Sequence, residues 1–243
     1  FELGLHWAIP NLETLWQIEK DAYCQQVLKK HWPKSHIYSD ITTIRTNELQ
    51  DIDILCAGFP CQDLSVAGKK EGINGKKSGL FWELWTLIRD FKEQGRAIPI
   101  ILLENVPAIT SNGLGHVLGA LSEIGYNAEW FVISAGAFGA PHLRKRWFLV
   151  AYSNSKNNQK HPKHARRLET TRRFKRGDSQ NDGIHAGNYR KKRTAPPALC
   201  AVDDGIPHRM AKIRALGNAI VPQCSHWIGQ RIIESGLLED MLC

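Results

Sequence analysis

Two predominantly apolar runs stand out in the first half of the chain: Ile52-Asp53-Ile54-Leu55-Cys56-Ala57 and Ile98-Pro99-Ile100-Ile101-Leu102-Leu103. Runs of this length read as buried strands, here 52–58 and 98–105. Tyr126 to Ser134 and Arg146 to Tyr152 read as two more, the second nearly continuous through Trp147-Phe148-Leu149-Val150-Ala151. Apolar residues at helical spacing (Leu80, Phe81, Leu84, Trp85, Leu87, Ile88, Phe91) predict a helix over 80–94, with another over 114–124. Leu12, Leu15, Trp16, Ile18, Ala22, Val27 and Leu28 predict an amphipathic helix over 12–31, followed by a short strand from Ile37 to Ile41. Near the end, helices over 207–216 and 225–238 flank a turn at Gly217-Asn218-Ala219-Ile220-Val221-Pro222-Gln223. Strands alternating with helices predict an α/β fold whose sheet is mainly parallel and covered on both faces.

Composition refines this picture at two places. Residues 154–193 hold 13 of the 32 Lys and Arg but only 3 of the 24 Asp and Glu, a local charge of +10. The remainder, with 19 basic and 21 acidic residues, is close to neutral. Apolar residues are sparse in that stretch, so it buries little surface on its own. Two readings stay open: a polyanion contact, most simply nucleic acid, or a solvated loop. The other place is 63–79, a Gly/Ser/Lys-rich stretch with glycines at 68, 72, 75 and 79, which reads as a mobile lid or a plain surface loop.

Six cysteines occur, at 24, 56, 61, 200, 224 and 243, with no C-x-x-C pair. That usage favours reduced thiols in a cytoplasmic setting over disulfides or a metal centre, and argues against a thiol redox protein. Cys24, Cys56 and Cys224 read as small apolar residues. No apolar run approaches the ~20 residues of a membrane helix. There is no secretory pattern, and the chain opens at Phe1 without an initiator methionine, as a fragment or processed product would.

Candidate chemistry sits at the ends of the two apolar runs. Gly58-Phe59-Pro60-Cys61-Gln62 follows the first, and Glu104-Asn105-Val106 the second. In α/β sheets the carboxyl ends of the strands hold the active site, so a thiol and a carboxyl face one pocket. A thiol nucleophile with a proton donor is what an attack on an unreactive aromatic ring requires. Arg144 and Arg146, two apart in an extended segment, point to one side and would lower the thiol pKa.

These motifs, followed in order by Phe138-Gly139-Ala140-Pro141-His142-Leu143-Arg144-Lys145-Arg146 and by Gly217-Asn218-Ala219-Ile220-Val221-Pro222-Gln223, resemble those of the DNA (cytosine-5) methyltransferases of bacterial and phage type. The resemblance covers nearly the whole chain outside the basic stretch. It implies a Rossmann-like S-adenosylmethionine-dependent sheet with a small basic insert domain: a catalytic and cofactor-binding domain of 1–152 plus 222–243, and a target-recognition region of 153–221. It implies methyl transfer from S-adenosylmethionine to carbon 5 of a flipped-out cytosine in double-stranded DNA. Cys61 would add to C6, and Glu104 would hold the N3 and N4 edge and donate to N3. Arg146 would contact the base O2 with Arg144 supporting it. Phe59, Pro60 and Asn105 would line the base site, with Gln62 and Ser65 at the root of a closing loop. On the cofactor side the resemblance places Glu19 on the ribose hydroxyls, Asp40 on the adenine amino group, and Leu80 and Asn218 along the rest of the pocket.

The sequence departs from that family in three respects. The Asp-Leu-Phe strand and Gly-rich turn that precede the element at Phe1 are not in these residues, so weak or no cofactor binding is expected of them. His142 stands where Gln is commoner. The recognition region is short, basic and poor in core formers, which favours phosphate attraction over base readout, although Val202-Asp203-Asp204-Gly205-Ile206-Pro207-His208-Arg209 still resembles the family's return into the large domain. A restriction-modification or phage-protection role, a monomeric state and a functional pairing with a cognate restriction endonuclease follow from the resemblance. Its rivals are a catalytically impaired DNA-binding remnant and an RNA cytosine methyltransferase.

Overall fold

The computed structural model describes residues 1–60, 79–153 and 215–238. The expected lid, Cys61, Gln62, Ser65, the basic stretch and the 202–209 return all lie outside the described residues.

The main sheet has four strands in the order β3-β4-β6-β5. They are β3 (Ile54–Gly58), β4 (Ile100–Asn105), β5 (Tyr126–Ser134) and β6 (Lys145–Ser153). In β4, Ile100, Ile101, Leu102 and Leu103 are each 1 % exposed or less, as befits a strand paired on both edges and covered on both faces. Successive residues feed opposite layers. Ile101, Leu103, Leu149 and Ala151 join one core with helices α3 (Leu80–Glu93) and α5 (Leu114–Glu123) and with Ile109 of the short α4 (Ile109–Asn112). Ile100, Leu102, Phe148 and Val150 join a second core with α1 (Glu2–Ala8) and α6 (Pro222–Glu234). Two directional bonds index the first layer: Trp85 Nε1 donates to Ala120 O (2.8 Å) and the Tyr126 hydroxyl to Ile98 O (2.8 Å).

A separate parallel pair, β1 (Trp16–Ile18) and β2 (His36–Tyr38), packs Trp16, Ile18 and Tyr38 onto the first core. Helix α2 (Ala22–His31) connects the two strands. The expected helix over 12–31 is therefore corrected: its first part is a strand. Trp16, Gln17 and Ile18 alternate, and Asp21 starts a new helix by accepting the amide of Cys24 at 2.9 Å. The strand expected from Ile37 to Ile41 ends at Tyr38, and a 3₁₀ turn follows at Ile41–Thr43.

Among the described residues β3, β4 and β5 of the main sheet run the same way, as the mainly parallel expectation has it, and β6 is the exception, antiparallel to both β4 and β5. The link between β5 and β6 carries no more than a 3₁₀ turn at Ala135–Phe138, and a parallel pairing needs a longer crossover. None of the described helices is long and apolar enough to cross a membrane.

Helices α1 and α6 touch through glycines. A Cβ at Gly4 would fall on Pro222 O and Ser225 Oγ and lie 2.6 Å from His226 N; one at Gly229 would lie 2.7 Å from Ala8 Cβ. Backbone that close leaves no room for a methyl group. Gly4→Ala is therefore expected to lower stability by about 1–3 kcal/mol in urea unfolding. An unchanged midpoint would show that the two helices separate easily.

Candidate active site

Parallel pairing sets Gly58 opposite Glu104 at the carboxyl ends of β3 and β4. Glu104 in turn stands opposite Phe148 of β6, so Arg146, two residues earlier, projects from the same face of the sheet. Arg146 Nε meets Glu104 Oε1 at 2.8 Å, with the two side chains 22 % and 12 % exposed. Burial pushes the Glu104 carboxyl above its ordinary pKa; Arg146 and then Arg144 pull it back without cancelling the rise. On its other side, a Cβ at residue 58 would lie 3.1 Å from Glu104 Oε2. The carboxylate thus rests over the one strand-end residue that has no side chain.

Asn105, 3 % exposed, laces the two strand ends together beyond the last rung of the ladder. Its Nδ2 donates to Phe59 O (2.7 Å) and its Oδ1 accepts from Val106 N (2.8 Å). Phe59 is buried with its ring 5.1 Å from that of Phe81. Phe59 and Pro60 are therefore fixed beside Glu104 immediately before the position of Cys61.

The two arginines diverge. Arg144 Nη2 donates to Gly217 O and Ala219 O, both at 2.7 Å, so its hydrogen bonds go to the turn before α6 and not to Glu104. Burial, and next the charge of Arg146, lower its pKa. His142, Arg144, Leu216, Ala219 and Val221 line a cavity of about 420 Å³ beside it. Asn218 sits between the two gripped carbonyls.

Glu19 and Asp40 come together at the other parallel pair. Glu19 follows β1, its amide bonding Tyr38 O at 2.9 Å and its carboxylate accepting Asp21 N at 2.7 Å. Asp40 follows β2; it accepts from Thr42 N (3.0 Å) and Thr42 Oγ1 (2.8 Å) and meets Lys20 Nζ at 3.6 Å. The Thr42 bonds hold its pKa below the ordinary value. Leu80 is half-exposed at the start of α3, just after Gly79, whose φ of 116° is open to glycine. Among the described cysteines, burial raises the thiols of Cys24 and Cys224 to about 11. Burial pushes Cys56 higher still. All three are thereby kept as unreactive thiols at neutral pH.

Two features escaped sequence reasoning. The contact of Gly58 with Glu104 had a usable signal, a glycine closing an apolar strand. The pairing of Arg144 with carbonyls more than seventy residues away had none.

Residues 1–196 match the family model of C-5 cytosine-specific DNA methylases. Type II methyltransferase M2.BsuMI of Bacillus subtilis is 41 % identical over 154 residues, covering 62 % of this chain and 38 % of that protein. Type II methyltransferase M.HhaI of Haemophilus parahaemolyticus is 30 % identical over 151 residues, covering 60 % and 44 %. The chain thus spans less than half the length of these curated relatives. Among solved structures, the S. pombe Dnmt2 methyltransferase superposes with a TM-score of 0.53 at 20 % identity, covering 64 % of this chain and 48 % of that one. A Spodoptera frugiperda DNMT2 mutant gives 0.52 at 18 %, covering 64 % and 47 %. These likenesses establish the Rossmann-like methyltransferase fold.

Because the folded pKa of Glu104 is raised, its carboxyl binds a proton more tightly in the folded state than in the unfolded one. Its contribution is present below the unfolded pKa and is lost as pH rises toward the folded one. Glu104→Gln is therefore expected to gain stability relative to the wild type between pH 4 and pH 7, measured by urea unfolding at both. A difference independent of pH would contradict the raised pKa. Asn105→Ala strands the buried Phe59 carbonyl and frees the half-buried Val106 amide, and is expected to cost about 1–3 kcal/mol in the same measurement.

Proposed function

The chain belongs to the C-5 cytosine-specific DNA methylase family, and from that premise we propose that it takes part in methyl transfer to carbon 5 of a flipped-out cytosine in double-stranded DNA. The observation that carries this reading is the half-buried Glu104. It is held between Gly58 and Arg146, with Asn105 fixing Phe59 and Pro60 beside it.

Carbon 5 of cytosine is a weak nucleophile. The Cys61 thiolate adds through sulfur to C6, and the electron pair of the C5–C6 double bond moves toward C5 and N3. Glu104, whose raised pKa favours the protonated form, donates to N3 as the charge develops there. Arg146 holds the Glu104 carboxyl in place and faces the base O2. After C5 has gained the methyl group, loss of its proton restores the double bond and expels the thiolate. Phe59, Pro60 and Asn105 line the base site, and Gln62 and Ser65 belong to the segment that follows the nucleophile.

The family's S-adenosylmethionine fits the donor set at β1 and β2. Two acidic side chains at neighbouring strand ends suit hydroxyl and amino donors, Glu19 for the ribose and Asp40 for the adenine. Asp40, kept ionised by Thr42, is an acceptor in that role. Leu80 and Asn218 complete the pocket. When bound, the cofactor supplies an electrophilic sulfonium methyl group. The protein acts as a monomer on duplex DNA in the cytoplasm, in restriction-modification or phage protection, with any cognate endonuclease a functional partner only.

The test is incubation with a duplex containing 5-fluorocytosine and S-adenosylmethionine in large excess, which offsets the weak binding expected of these residues, read on a denaturing gel. A covalent adduct is expected in the wild type and none in Cys61→Ser. Duplex binding without an adduct would favour the second reading, a non-catalytic DNA-binding remnant.

A further inference from the structure

Arg144 stands within reach of three unlike groups. It feels the charges of Glu104 and Arg146, yet its hydrogen bonds go to the turn before α6. The two carbonyls it grips bracket Asn218, and Ala219 N closes a helical turn on Ala215 O at 2.9 Å. Residues 216–219 are all exposed, Leu216 at 73 %. The turn therefore has little apolar burial of its own to hold it, and a polar anchor decides where it sits.

Beyond the turn the chain becomes rigid. Val221 leads into α6, whose first turn carries buried Cys224 within the field of Arg144, and α6 is locked to α1 through Gly229 and Gly4. Before the turn lies the sequence that includes the basic stretch 154–193. Residues 217–219 are thus where the chain comes back from that stretch to the catalytic edge. A guanidinium suits the anchoring: it keeps its proton, and its N–H groups are set in a rigid plane that can serve two carbonyls.

We propose that Arg144 is a positioning residue that locks this return point to the Glu104–Arg146 edge, and that it neither activates the thiol nor contacts the base. The assignment rests on the methyltransferase reading above. It gives Arg146 the work at Glu104 and the base, and gives Arg144 the task of holding residues 217–219 at that edge.

Hydrogen exchange by mass spectrometry on the full chain tests it, comparing the wild type with Arg144→Ala and Arg144→Lys. In Arg144→Ala the amides of 217–224 are expected to exchange about tenfold faster, a local loss of about 1.4 kcal/mol. Those of 101–104 and 148–151 should keep their rates, and Arg144→Lys should recover part of the protection. In parallel, iodoacetamide alkylation of the Cys61 peptide is followed against pH, and its midpoint should be the same in all three proteins. Unchanged exchange at 217–224 in Arg144→Ala would overturn the proposal. So would an alkylation midpoint that rises in Arg144→Ala and returns in Arg144→Lys, since the arginine would then act on the thiol through its charge. Neither readout needs turnover. Failure of the methyltransferase reading is recognised separately, as a wild type that forms no adduct on 5-fluorocytosine.

Discussion

Glu104 follows four residues that are almost entirely dry, so its carboxyl leaves the sheet at the edge of the least polar region of the molecule. Burial there favours the neutral acid, and the nearby guanidinium of Arg146 favours the anion. Burial prevails, yet Arg146 stays bonded to it at 2.8 Å. Burial and Arg146 thus act in opposite directions on the balance between the two forms of the acid. A proton donor needs that poise: an acid stabilised outright as an anion has nothing to give, and one with no cation beside it has nothing to orient it.

For the proposed chemistry, poise is useful only if the acid is kept still relative to the chain that leads to Cys61. The β3–β4 ladder ends at Gly58 and Glu104, and past that point backbone pairing no longer sets the distance. Asn105 takes over with one side chain that serves both a carbonyl on the neighbouring strand and the amide following its own. Gly58 contributes by lacking a side chain, since a methyl group there would crowd Glu104 Oε2. Both residues fix the surroundings of Glu104 with groups of the protein alone, the kind of preorganisation that the proposed reaction would draw on.

How much of this was legible depended on whether the signal was local. Helix α3 and strands β4, β5 and β6 were readable because their apolar spacing is long and regular, and their observed ends lie within about two residues of those expected. Strand β1 was not readable: three residues are too few for a period-two pattern to stand out beside the apolar positions of α2, and the decisive mark was the cap at Asp21. Glu104, Asn105 and Phe59 were identifiable from their motifs. The choice between Arg144 and Arg146 as partner of Glu104 was not, because it depends on how the turn at 217–219 packs, and spacing along one strand carries no trace of that.

The antiparallel course of β6 explains why the acid and the arginines meet at all. Acidic candidates lie at the carboxyl ends of parallel strands: Glu104 at β4, Glu19 at β1 and Asp40 just past β2. Arg144 and Arg146 stand instead at the amino end of their strand. Had β6 run parallel to β4, as β3 and β5 do, those arginines would sit at the opposite edge. Six residues of strand at about 3.3 Å each put that edge roughly 20 Å away, far outside the range of a hydrogen bond. Reversing β6 brings its first residues beside the last residues of β4, with Asn105 opposite Trp147 and Glu104 opposite Phe148. The short β5–β6 link, which rules out a parallel crossover, is thereby a condition for placing a cation on the Glu104 carboxyl.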